Sequence, residues 1–246
     1  MSTLDPKSKI GVASTNGLDC PMMPLAEWHV LDDADREKLA EGKSTRSFAK
    51  GEVIFYQGDP CDGIYCVKSG TAGVRKTDEK GNAVLLYLVH PGETMGMRSF
   101  FAGSKYQASA EALEPVTLCY IPARVLNELS GRNPELDLAF LKHISRELGD
   151  AHRTILANTS LPVRARMAHF ILSLKDRYGR VNKDGTLSVQ LPLNRHDIAD
   201  LLATRPETVA RTIASLTNDG LALFSGRQVI ILKPDSLQEE SEALME

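Results

Sequence analysis

The chain is poor in several features that would place it in a narrower class. One tryptophan and four cysteines stand among 246 residues, and aromatic residues make up 6%. The thiols of Cys20, Cys61, Cys66 and Cys119 are scattered, which argues against the disulfide framework of a small secreted domain. No run of about 18 apolar residues occurs, so no transmembrane helix and no membrane partner are expected. Residues 1–16 are polar and lack the apolar core of a secretory signal, so a cytoplasmic protein is expected. There is no Ser-His-Asp set around a nucleophile elbow, no phosphate-binding Gly-Lys-Ser/Thr loop and no zinc-binding His-Glu-x-x-His, so no enzyme is expected. An excess of positive charge is also missing, the formal net charge being −3. That shortfall is uneven. Residues 162–234 hold 11 Lys and Arg against 6 Asp and Glu, a balance of +5, which leaves −8 for the remainder. A basic module joined to an acidic one suits a protein whose C-terminal part meets a polyanion.

At this length two domains are expected, following a flexible segment at 1–24. Between Phe48 and Pro122 short apolar runs alternate with glycines. Examples are Val53-Ile54-Phe55 before Gly58, Ile64 to Val67 before Gly70, and Val84 to Val89 before Gly92. Strands at intervals of 8–12 residues with turn signals between them predict a sandwich or barrel. From Pro122 the period becomes helical. A short helix stops near Gly131, and a long one runs from about Glu135 to Asn158. Its residues Leu141, Ile144, Leu148, Ala151 and Ile155 step by three and four, the spacing of a coiled-coil seam. Packing on the chain's own domain is the alternative use of that stripe. Leu161-Pro162 suits a hinge, because the residue before proline leaves the helical region. Val163–Tyr178 reads as a further helix, Leu187–Leu191 as a strand, and Leu221–Leu232 as a hairpin turning at Ser225-Gly226.

Residues 194–213 carry the strongest signal. They read as two short helices around a tight turn, with Leu193, Ile198, Leu201 and Leu202 burying the first. Val209, Ile213 and Leu216 bury the second. Pro206 fits the first helical turn without loss of a hydrogen bond. The outer face then holds Glu207, Thr208, Ala210, Arg211 and Thr212, with Arg205 before it. Glutamate accepts from a cytosine amino group and arginine donates a bidentate pair to guanine, so this is the pattern of a helix-turn-helix reading base edges. Arg164, Arg166, Arg195, Arg205 and Thr208 are candidates for phosphate contact.

The whole layout from about Leu25 to Pro234 resembles the Crp/Fnr family of bacterial transcription regulators. The resemblance rests on Lys50-Gly51-Glu52, Gln57-Gly58-Asp59, Val67-Lys68-Ser69-Gly70, Pro91-Gly92-Glu93 and Pro206-Glu207-Thr208-Val209-Ala210-Arg211. It implies an α+β chain in three parts. These are a cyclic-nucleotide-binding-like β-roll (a jelly roll) at 25–130, a dimerisation helix and hinge at 131–160, and a winged helix-turn-helix at 161–235. A C-terminal tail at 236–246 completes the chain. It further implies a homodimer on palindromic double-stranded DNA of the TTGAY–N4–RTCAA kind, and contact with RNA polymerase if the protein activates. Glu207 and Arg211 match the base-contacting pair of that family. Pro206 and Ala210 depart from its branches and bear on the outer base positions.

The sensing site departs further. Met97 stands where cyclic-AMP responders have glutamate, and Tyr106 or Gln107 where they have the phosphate arginine. This argues against cyclic AMP, because an unpaired phosphate charge loses its strongest contact. Met97, Arg98, Phe100, Gln107 and Ser109 are the effector-pocket candidates. An iron–sulfur cluster normally takes four thiolates. Cys119 resembles the β-roll ligand of the oxygen-sensing branch, but Cys20 stands alone in the N-terminal segment, which argues against a cluster. Cys20, Cys61 and Cys119 are candidate redox thiols. Heme stays open, with His29 or His90 as ligand. The rival to a DNA-binding regulator is a ligand-binding regulatory subunit that acts through protein–protein contacts.

Overall fold

A computed structural model describes residues 26–182 and 186–242, so the segment 1–24 and Cys20 lie outside the described residues. The chain forms two compact units that divide between Ser145 and Arg146, with Val84–Leu86 grouping with the second. No helix among the described residues is long and apolar enough to cross a membrane.

The first unit opens with a 3-10 turn at Ala26–Val30 and α1 at Asp33–Gly42, capped by the Asp32 carboxylate accepting from the Asp35 amide at 2.8 Å. Eight strands follow: β1 Ser44–Phe48, β2 Val53–Phe55, β3 Gly63–Ser69, β4 Ala72–Thr77, β5 Ala83–Val89, β6 Thr94–Met95, β7 Ser109–Ala112 and β8 Val116–Pro122. They build two four-stranded sheets, ordered β1-β8-β3-β6 and β2-β7-β4-β5. The expected β-roll is present. Successive side chains of a strand face opposite ways, so β3 serves two cores. Tyr65 and Val67 join Phe55, Val74, Val89 and Leu118 in one core. Ile64 faces the other way, where Ile121, Trp28, Leu126, Leu129, Leu136 and Phe140 form a second core. Each buried leucine or phenylalanine there contributes about 1.5–3 kcal/mol. Gly70 lets β3 turn into β4: its φ is +81°, and a Cβ would meet the Pro115 carbonyl at 2.2 Å.

A short helix α2 at Met97–Phe101 lies between β6 and β7, and α3 at Ala123–Arg132 follows β8. The long helix α4 is Pro134–Ser160. Its start is fixed by Pro134 and by the Asn133 side chain, which accepts from the Glu135 amide at 3.1 Å. Leu136 and Phe140 anchor it, the latter meeting Trp28 edge-on with centroids 5.4 Å apart.

In the second unit α5 at Val163–Tyr178 is followed by β9 Gly179–Val181, β10 Leu187–Gln190, α6 Arg195–Leu201, α7 Pro206–Asn218, β11 Ala222–Ser225 and β12 Gln228–Ile231. The sheet order is β11-β12-β10-β9. The expected helix-turn-helix and hairpin wing are therefore present. Where the sequence suggested a tail, α8 runs from Pro234 to Glu242 and packs on α5, because Leu237 is fully buried.

Candidate nucleic-acid interface

Local chemistry builds the helix-turn-helix. Asn194 and Asp197 form a reciprocal cap on α6. The Asn194 Oδ1 accepts from the amides of His196 and Asp197 at 2.8 and 3.0 Å, and the Asp197 carboxylate accepts from the Asn194 amide at 2.8 Å. After α6 the chain turns at Ala203, the single non-glycine residue with positive φ (45°) among the described residues. The Thr204 amide donates back to the Ala199 carbonyl at 2.9 Å and closes that helix end. Pro206 then starts α7.

On α7, Val209 and Leu216 are buried as expected, but Thr212 is buried rather than outward, and Ile213 is half-buried, because the core contact is centred on the Val209-Thr212-Leu216 stripe. The 3.6-residue period therefore leaves Glu207, Ala210, Arg211 and Ala214 on one exposed face. Glu207 in the first turn is favoured by the helix dipole. Arg211 donates through Nη2 to the Thr208 hydroxyl at 3.2 Å, which props its guanidinium along the same side. Arg205 precedes the helix and is exposed. Arg195 opens α6 with its guanidinium 5.8 Å from the ring centre of Phe224 on β11, and burial lowers its pKa from the ordinary value. A cation stacked this way joins the helical pair to the wing.

Two expected phosphate contacts need revision. Arg164 donates through Nη1 to the Ser215 hydroxyl at 2.5 Å and to Asp219 at 2.6 Å, and its Nε meets Glu240 at 2.9 Å. Arg166 donates to Asn158 Oδ1 at 2.9 Å and to the Leu202 carbonyl at 2.6 Å. Both guanidiniums thus tie α5 to α7, to α8 or to the end of α6. A run of arginines on a basic helix gives no local sign of such distant partners.

The expected seam on α4 is largely open to solvent. Leu141, Leu148 and Ile155 are 60%, 56% and 61% exposed at seven-residue spacing, and Ala151 is exposed as well. Ile144 differs, since it packs against the core that contains Phe140. Leu138 and Leu156 extend the exposed apolar surface.

In the first unit the effector candidates do not converge. Met97 is buried in the helix-facing core with Trp28 and Ile121. Arg98 reaches out to Tyr87, donating to its hydroxyl at 3.4 Å. Gln107 donates to the Ser104 hydroxyl and the Lys105 carbonyl, and Ser109 accepts from the Gln57 amide at 2.8 Å. Only Phe100 of the five lines a cavity of about 560 Å³, with Cys61, Ser99, Phe101, Lys105 and Asn127 among its neighbours. The roll interior holds an aromatic stack that the sequence pattern did not single out. Phe55 lies 4.0 Å from Tyr106 and 5.5 Å from Tyr65, and Tyr106 donates its hydroxyl to the Gly63 carbonyl at 2.7 Å. Burial pushes the hydroxyls of Tyr65, Tyr106 and Tyr120 above the usual tyrosine pKa.

The redox and heme candidates are equally dispersed. Burial also raises the Cys61 thiol, which donates to the carbonyls of Gly63 and Gly96. Cys119 is buried on β8 directly opposite Cys66. His29 is exposed on the 3-10 turn, whereas His90 is buried at the Pro91-Gly92 turn. A polar contact absent from the sequence reading pairs buried Glu27 with His143 on α4. Among the described residues, no group of three or more His, Cys, Asp or Glu is placed to hold a metal ion.

Comparison with known proteins agrees with this architecture. The family model for a cyclic nucleotide-binding domain matches residues 45–133, and that for a Crp-like helix-turn-helix domain matches 165–240. The transcriptional activator protein Anr of Pseudomonas aeruginosa is 31% identical over 221 residues, 89% of each chain. Electron transport regulator A of Shewanella oneidensis is 29% identical over 215 residues, 87% of this chain and 85% of that one. Among solved structures, a transcriptional regulator of the CRP/FNR family from Thermus thermophilus is 29% identical with a TM-score of 0.68, covering 80% of this chain and 98% of that one. Such relatives are regulators rather than enzymes. With its cyclic-nucleotide-binding-type roll, its helix-turn-helix and its likeness to those regulators along most of its length, the chain belongs to the Crp/Fnr family of DNA-binding transcription regulators.

Proposed function

We propose that the chain acts in the cytoplasm as a homodimer that binds a palindromic promoter site resembling TTGAY–N4–RTCAA. The exposed face of α7 carries this reading, because Glu207 and Arg211 stand one helical turn apart on it with no core side chain between them. Glu207 and Arg211 read base edges, and Pro206 and Ala210 shape the approach at the outer positions. Arg195, Arg205 and Thr208 contact phosphates. Two copies pair along α4 through Leu141, Leu148, Ala151 and Ile155, because a lone helix exposing this stripe gains by covering it. Two-fold pairing sets two recognition helices about 34–36 Å apart, one helical turn of DNA.

A signal sensed in the first unit biases the arrangement of α4 and the hinge after it. The candidate signals are heme with its gas ligand, an oxidisable thiol and a small ligand. A coupling of about 1–3 kcal/mol gives 5- to 150-fold control of affinity. When it activates, the dimer also contacts RNA polymerase. The test is fluorescence anisotropy with a duplex containing TTGAT–N4–ATCAA and with a scrambled duplex, across a salt series. Tight, salt-sensitive and sequence-dependent binding by a dimer is expected. Equal affinity for both duplexes would overturn the base-reading role, and no binding to either would favour a regulator acting through protein contacts.

A further inference from the structure

We infer that Cys66 and Cys119 form an oxidisable dithiol that closes to a disulfide on the helix-facing side of the sheet β1-β8-β3-β6. The two residues are direct partners in the antiparallel ladder of β3 and β8. Directly opposed antiparallel residues have Cα atoms about 4.5–5.5 Å apart, whichever type of pair they form. That range lies within the roughly 4.4–6.8 Å that a disulfide bridges. Opposed side chains point to the same face of a sheet. Both cysteines are buried and make a two-residue cluster of their own.

Their surroundings favour a response within the protein. On the same sheet row, Thr45 opposes Cys119 and Thr94 opposes Cys66. Thr94 donates its hydroxyl to Glu27 at 3.3 Å, and Glu27 is paired with His143 on α4. Closing the bond therefore acts beside the contacts that hold the start of α4. The strand beside Cys66 is β6, which is two residues long and lies at the sheet edge. Brief opening there admits a small oxidant such as hydrogen peroxide.

The chemistry balances with peroxide as oxidant. One cysteine sulfur attacks a peroxide oxygen, the O–O bond breaks, and a sulfenic acid and one water form. The second sulfur attacks the sulfenic sulfur. The S–S bond forms as the S–O bond breaks, and hydroxide leaves with the second thiol proton as water. Two thiols are oxidised and one peroxide is reduced to two waters.

The test uses the full chain carrying Cys20→Ser and Cys61→Ser. It is treated with hydrogen peroxide, its remaining thiols are alkylated under denaturing conditions, and its peptides are mapped by mass. Both thiols should be lost together. The Cys66 and Cys119 peptides should appear linked within one chain, lighter by two hydrogens and restored by dithiothreitol. If the variant does not fold, the same map of the unsubstituted chain distinguishes this link from one to Cys20 or Cys61. Two alkylatable thiols after a dose that oxidises the denatured chain would overturn the inference. So would a link between chains, or over-oxidation of one sulfur with the other intact.

Discussion

The two units handle their polar chemistry in opposite ways. In the first unit the informative groups are held in internal contacts: the Tyr106 hydroxyl donates to the Gly63 carbonyl, Glu27 pairs with His143, and Cys66 lies against Cys119. In the second, Glu207 and Arg211 stand on an open helix face. A reader of base edges must leave its hydrogen-bonding groups available to a partner. A sensing core can instead hold its groups in internal contacts that an incoming signal replaces. The contrast explains why the exposed residues of α7 are legible one by one, while the expected effector residues do not meet.

The largest break of this comparison should come from the core of the first unit. Phe140→Ala removes a ring packed on Trp28 and should destabilise that unit by about 3–5 kcal/mol. Chemical denaturation followed by Trp28 fluorescence measures this, and an unchanged midpoint would show that Phe140 is not an anchor. The next effect lies on the open face. Arg211→Ala should remove about 1–3 kcal/mol of discrimination between matched and scrambled duplexes while folding is retained. An equal loss on both duplexes would make Arg211 a phosphate contact instead.

Alkaline pH should separate the units more gently. Burial raises the pKa of Tyr65, Tyr106 and Tyr120 above the ordinary 10.0, and that of Cys61 above 9.0. The folded state then holds these protons more tightly than the unfolded state does. Their contribution to stability is full below the unfolded values and is lost as pH rises through the folded ones. The unfolding midpoint of the first unit should fall above about pH 9–10, and Tyr106→Phe should flatten the decline. A flat profile to about pH 11, read by the same fluorescence, would contradict the burial of these hydroxyls. The smallest effect belongs to the turn before α7. Ala203 sits at φ 45°, where an L side chain costs about 1 kcal/mol, so Ala203→Gly should stabilise the second unit by that amount. Thermal unfolding of this variant measures it, and a lowered midpoint would show that the Cβ makes a useful contact.

Much of the fold was legible because it is written in short-range patterns. Glycine-punctuated apolar runs marked the strands of the roll, and Pro206 marked the start of α7. The period of Val209 and Leu216 marked which side of α7 is buried. The arginines of α5 were less legible. Arg164 and Arg166 look alike on a basic helix, yet their partners Asp219, Glu240 and Leu202 lie 36 or more residues away. Nothing local distinguishes such a tie from a free cation.

By itself, then, the sequence determined the order of most elements, the two-part architecture and the exposed side of α7 that carries Glu207 and Arg211, because these depend on periodicity and on the steric limits of proline and glycine. Tertiary structure alone decided that Cys66 faces Cys119, that Glu27 meets His143, and that an aromatic stack rather than the expected effector residues occupies the roll. Those outcomes depend on strand register and long-range packing. Both are settled only when segments far apart in the chain compete for the same buried space.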